Sequence, residues 1–95
     1  MKVLWSPEAI QDLTALQSYI AQDNPAAAQR VALRIIETVE HLLPDNPHMG
    51  RPGRVPGTRE LVIPRTPYIV PYRVHRHALE ILRVYHAARR WPDSF

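Results

Sequence analysis

The stretch Thr58-Arg59-Glu60-Leu61-Val62-Ile63-Pro64-Arg65-Thr66-Pro67-Tyr68-Ile69-Val70-Pro71-Tyr72-Arg73-Val74-His75 decides the fold class, because at Thr58 the hydrophobic pattern turns from helical to strand-like. Arg59 to Ile63 and Pro67 to His75 are rich in Val, Ile, Leu and Tyr, as is Leu79 to Ala87 beyond them. The joining segments Pro64-Arg65-Thr66 and Arg76-His77-Ala78 are short enough for hairpins, so the three runs predict an antiparallel meander. Pro71 interrupts the second run. It cannot donate to a ladder, and an edge position or a bulge is the expected accommodation.

Upstream of this stretch the period is helical. A short strand, Lys2 to Trp5, leads into Ser6-Pro7-Glu8, which reads as an N-cap, a proline at the first helical position and an acid facing the positive helix end. Ile10, Leu13, Leu16 and Ile20 then form one apolar stripe. Asp23-Asn24-Pro25 stops that helix and starts another, with Asn24 as cap and Ala28, Val31, Ala32, Ile35, Val39 and Leu42 along one face up to Pro44. So short a connection makes the two helices an antiparallel hairpin. From Pro44 to Gly57 lie four prolines and all three glycines, which predicts an irregular connection whose Arg51 and Arg54 are exposed, able to serve contact but on the bland reading merely solvated. The order is β-α-α-β-β-β, an α+β fold in which the helical hairpin packs on the antiparallel sheet. At 95 residues it forms a single domain, 1–95.

Composition narrows the chemistry. With no cysteine, disulfides, thiolate metal sites and cysteine nucleophiles are excluded, and with no long apolar run a cytoplasmic setting is expected. Residues 1–50 carry three basic and six acidic side chains, whereas residues 51–95 carry nine basic residues, all arginine, and three acidic ones. Arginine suits bidentate contact with carboxylate or phosphate, so an acidic protein or a nucleic acid is the expected partner. Arg59, Arg73, Arg83 and His86 fall on predicted strands, with Arg89, Arg90 and Trp91 just beyond them. Cations gathered on one sheet face with a histidine could bind a phosphodiester and move a proton. Strand alternation puts Arg83 with Ile81 and Tyr85, and His86 with Leu82 and Val84 on the other face. The bland reading of His86 is a strand-end histidine bonded to backbone, and that of Tyr68, Tyr72 and Tyr85 is core packing. His75-x-His77 lacks a third ligand, and no cofactor or metal is expected.

The runs Val55-Pro56-Gly57-Thr58-Arg59-Glu60-Leu61-Val62-Ile63, Pro67-Tyr68-Ile69-Val70-Pro71-Tyr72-Arg73-Val74 and Ile81-Leu82-Arg83-Val84-Tyr85-His86-Ala87-Ala88-Arg89-Arg90-Trp91-Pro92 resemble those of RelE/ParE-superfamily toxins. So does the opening Trp5-Ser6-Pro7-Glu8-Ala9 with Asp12-Leu13 and Tyr19-Ile20-Ala21, and the resemblance covers nearly the whole chain. It implies the toxin of a type II toxin–antitoxin, or plasmid-stabilisation, module, held inactive by a cognate antitoxin whose C-terminal segment wraps it. Within the superfamily, RelE-like members cut mRNA in the ribosome and ParE-like members poison DNA gyrase. By equal loop lengths, the positions where the nucleases place basic or acid/base residues fall near Glu60, Val62 and Ile69. His86 matches a histidine that is catalytic in some of them, but Ala87 stands where a tyrosine can follow. These departures and the long helical hairpin bring the chain nearer the ParE-like members. The expectation is a non-catalytic gyrase inhibitor in which Arg59, Arg73, Arg83, Arg89, Arg90 and Trp91 bind partners. The alternatives are a ribosome-dependent endoribonuclease using His86, Arg59, Arg73 and Arg83, and a degenerate member that only binds antitoxin.

Overall fold

A computed structural model describes all residues, 1–95. β1 (Lys2–Trp5) leads into α1 (Pro7–Ala21) and α2 (Pro25–Glu37), and the second helix ends in a π-helical turn, Thr38–Leu42. β2 (Arg51–Pro52), β3 (Arg59–Val62), β4 (Tyr68–Val74), β5 (Ala78–Ile81) and β6 (Tyr85–His86) complete the chain. Both proline-led helix starts are as the sequence predicts. The side chains of Ser6 and Asn24 accept hydrogen bonds from the backbone N–H groups of Ala9 and Ala27. Ser6 also donates to the Leu82 carbonyl at 2.8 Å, so one hydroxyl both caps α1 and ties it to the sheet. Ser6→Ala is expected to lower stability by about 1–2 kcal/mol, the upper range for a cap, as read by urea denaturation.

The sheet runs β1-β5-β4-β3-β2, with β6 pairing the far end of β4. β3, β4 and β5 form the antiparallel meander, but the sheet as a whole is mixed because β1 lies parallel to β5, with Val3 opposite Leu79. The connection after Pro44, expected to be irregular throughout, contributes the two-residue β2 against β3. The expected third strand from Leu79 to Ala87 is broken. β5 ends at Ile81 and pairing resumes only at Tyr85, opposite Ile69. Across that break the alternation changes phase, so that Ile81 and Val84 both join the core while Tyr85 turns to the other face. Ile81 and Tyr85, expected on one face by simple alternation, therefore lie on opposite faces.

The break explains Pro71. Far from an edge, Pro71 sits in the central strand, fully buried and opposite Glu60. Its carbonyl accepts from Leu82 N–H at 3.0 Å, at the point where the neighbouring strand leaves the ladder. In an antiparallel pair a residue's N–H and C=O point to the same neighbour, so the donor that proline lacks is aimed at the interruption.

One face of the sheet carries Leu61, Ile63, Val70, Tyr72, Leu79 and Ile81, which meet Ala9, Leu16, Ile35, Val39 and Leu43 from the helical hairpin in a single core. The helix faces differ from the predicted ones by a residue at two points. Ala9 is inward and Ile10 half-exposed, and Leu43 is fully buried where Leu42 was expected. The second shift follows from the π turn, whose i→i+5 bond from Leu43 N–H to the Thr38 carbonyl inserts one more residue before the chain comes back to the core.

Candidate functional site

The arginines of the second half divide into two groups, one held internally and one free. Glu60 points away from the helices and is only 2% exposed. Arg51 reaches its carboxylate through Nε and Nη2 at 3.1 and 3.0 Å. Arg54 reaches it through its backbone N–H at 2.8 Å and its Nε at 3.2 Å. Burial alone would raise the pKa of Glu60; these hydrogen bonds outweigh it and hold the carboxyl below its usual range. Arg51 and Arg54 are thus structural arginines that satisfy a buried acid, rather than merely solvated loop residues. Arg54 also stacks on Trp91, 3.9 Å from the ring centroid, drawing the C-terminal segment onto the sheet.

Arg83 is similarly held. Its Nε and Nη2 bind Asp12 of α1 at 2.7 and 2.9 Å, a bidentate pair, and Asp12 also accepts from Val84 N–H at 3.0 Å. The pair raises the Arg83 pKa further, first of all through the hydrogen bonds that the guanidinium donates to Asp12. Its guanidinium lies 4.7 Å from the Tyr85 ring. Arg73 faces Glu80 across the β4–β5 ladder at 4.0 Å. Arg73 and Arg83 do border one open pocket, of about 290 Å³, but Glu8 and Glu80 border it too, so two cations are balanced by two carboxylates.

Arg59 and His86 lie elsewhere. Arg59 stands opposite Tyr72 on the helix side of the sheet, and its Nη1 donates to the carbonyls of Gly50 at 2.6 Å and His48 at 3.2 Å. The buried Tyr72 hydroxyl pins the same loop, donating to the Pro47 carbonyl at 2.8 Å and accepting from Gly50 N–H at 3.0 Å. Burial raises the Tyr72 pKa, keeping the phenol neutral. A Cβ on Gly50 would lie 2.7 Å from the Tyr72 ring and hydroxyl, so only glycine fits under this clamp. His86 is exposed. Its ring meets the edge of Tyr68 at 5.6 Å between centroids, and its Nδ1 accepts from Ala88 N–H at 3.1 Å. Arg59, Arg73, Arg83 and His86 therefore do not converge on one sheet face, the juxtaposition that phosphodiester chemistry would use.

Two free cations of the second half stand together at its end. Arg89 and Arg90 are exposed, and with Trp91, Tyr85, Arg83 and Phe95 they line an open pocket of about 500 Å³. Trp91 and Phe95 fold over Tyr85, which is buried, and Arg89 lies 4.3 Å from the Tyr85 ring. The result is a basic, aromatic surface.

The family described as "ParE toxin of type II toxin-antitoxin system, parDE" matches residues 3–91. The chain belongs to the ParE toxin family. It is 45% identical over 92 residues to the toxin-like protein Y4kP of Sinorhizobium fredii, covering 97% of this chain and 94% of that one. It is 40% identical over 88 residues to the toxin RelE2 of Caulobacter vibrioides, covering 93% and 97% of the two chains. Among solved structures it is similar to a chain of the chromosomal ParDE toxin–antitoxin system of P. aeruginosa. That match has a TM-score of 0.75 and 30% identity, and covers 90% of this chain and 95% of the other. This ParE-family protein is the toxin of a type II toxin–antitoxin system, and its partner is an antitoxin. None of its helices is long and apolar enough to cross a membrane, and it contains no cluster of three His, Cys, Asp or Glu residues able to hold a metal ion.

Sequence reasoning missed two residues of this ParE-family toxin that organise its cationic face. Asp12 lies three residues after Ala9 and four before Leu16, both buried, so a carboxylate on the apolar stripe of α1 was a readable sign that a cation comes to it. Glu60 alternates with the core residue Leu61 on a strand, and nothing local marks it as buried.

Proposed function

We propose that this toxin acts as a binding protein on DNA gyrase, using the basic and aromatic surface of Arg83, Arg89, Arg90 and Trp91, and that it works in the cytoplasm without chemistry of its own. The observation that carries this reading is the dispersal of the acid–base set. Arg59 is bonded to backbone carbonyls, Arg83 to Asp12, and His86 stands apart on the edge of Tyr68. An endoribonuclease needs a general base and charge-stabilising donors within hydrogen-bonding reach of a single phosphate. The family description names the ParE branch, which supports the same target. A plasmid-stabilising role follows if the module is carried on a plasmid.

A supercoiling assay with purified toxin and gyrase tests this: inhibition at micromolar toxin is expected. Unaffected gyrase, with growth still arrested on expression, would sink the gyrase reading. His86→Ala is expected to leave growth arrest intact. If that change abolished toxicity while antitoxin binding persisted, ribosome-dependent mRNA cleavage with His86 as general acid/base would take its place.

A further inference from the structure

Four arginine–carboxylate ion pairs exist in the molecule, and none of them uses Arg30, Arg34 or Arg65. Yet these three residues line one open pocket of about 400 Å³ between α2 and the β3–β4 turn. Arg30, Leu33, Arg34 and Glu37 stand at i, i+3, i+4 and i+7 of α2, a single helical stripe, and Arg65 approaches from the turn. Leu33 is 48% exposed. The groove therefore sets one uncovered aliphatic side chain, Leu33, among three unpaired cations.

The turn carries a second sign. Thr66 N–H bonds to the Ile63 carbonyl, with Pro64 second and Arg65 third in the turn, and Arg65 has φ 60°. Glycine or asparagine is the usual residue at that position, because a side chain there is strained. An arginine is held in a glycine conformation where its side chain joins two arginines of another element.

We propose that this groove docks an acidic, leucine-bearing segment of the antitoxin. The proposal rests on the type II toxin reading but not on gyrase as target. Charge complementarity favours such a segment: its carboxylates answer Arg30, Arg34 and Arg65, and an apolar side chain covers Leu33. Glu37 on the rim and the exposed Leu33 disfavour a nucleic-acid backbone, which presents phosphate and little apolar surface. The groove is separate from the C-terminal basic surface, so binding here restrains the toxin without using the residues offered to its target.

The probes are a short fluorescein-labelled peptide alternating glutamate and leucine, and the antitoxin encoded with this toxin. Arg30→Glu/Arg65→Glu is expected to weaken peptide binding about tenfold or more, and to weaken neutralisation of growth arrest by co-expressed antitoxin. Growth arrest without antitoxin, and gyrase inhibition, should be unchanged. Arg65→Gly should bind the peptide more weakly while its urea midpoint stays at or above that of the unaltered toxin, which separates a binding role from a folding one. Unchanged peptide and antitoxin binding in both variants would overturn the proposal. So would loss of toxicity with antitoxin binding retained, or weakened binding to a short DNA duplex in place of the peptide. Failure of the gyrase assay alone leaves these readouts standing, so the two readings fail independently.

Discussion

Replacing Arg51 and Arg54 together by alanine is expected to destabilise the fold by about 3 kcal/mol, while Glu60→Gln at the same site costs about 1 kcal/mol. The asymmetry comes from which charge is left behind. Glu60 is 2% exposed at its side chain, whereas Arg51 and Arg54 are 52% and 45% exposed. Removing the acid releases two guanidinium groups that water already reaches. Removing the arginines strands a buried carboxylate with only the Arg54 backbone N–H as donor. Urea unfolding near neutral pH compares the variants, and equal losses would show that the cluster is no more than a solvated surface pair.

The same cluster sets an acid limit. The folded pKa of Glu60 lies below its unfolded value, so the stability it contributes is fully present above the unfolded value of about 4.3 and is lost as pH falls through the lowered folded one. The urea midpoint should therefore decline below about pH 4, and the decline should be shallower in Glu60→Gln.

Asp12→Ala is expected to cost about 3 kcal/mol and to loosen the chain from Leu82 onward. Asp12 accepts three hydrogen bonds, two from Arg83 and one from Val84 N–H, and its side chain is 14% exposed. These bonds hold the segment between β5 and β6, where the strand ladder is interrupted and backbone pairing does not fix the chain. The variant leaves Arg83, itself 25% exposed, with only the Tyr85 face. Asp12→Asn, which keeps an acceptor for Val84, should lose less. Hydrogen exchange at Val84 N–H is the local readout: protection unchanged in Asp12→Ala would refute the anchoring role. Because Arg83 and Tyr85 underlie Trp91 and Arg89, the same variant should also weaken gyrase inhibition if that surface meets the target.

Much of the framework was legible locally. Ser6-Pro7 and Asn24-Pro25 start both helices as read, since a cap acts within its own first turn. The hairpins around Arg65 and His77 close as read, because proline and short turns limit the backbone over a few residues. The candidate site was less legible. The arginine-rich second half announced a cationic surface, yet Arg51, Arg54, Arg59 and Arg83 are bonded internally. The cations that stay free together include Arg30 and Arg34, from the half whose net charge is negative.

The amino-acid sequence by itself determined the α+β class, the helical hairpin, the meander and the toxin family, because periodicity, caps and motif order are carried by neighbouring residues. Only the tertiary structure decided the parallel docking of β1 on β5, the break that accommodates Pro71, and the partner of each arginine. The Arg83–Asp12 pair spans 71 residues of chain. No local pattern encodes which carboxylate a guanidinium will meet at such a separation. That choice is made when the hairpin packs on the sheet and a charge that would be left unpaired must find its counter-ion.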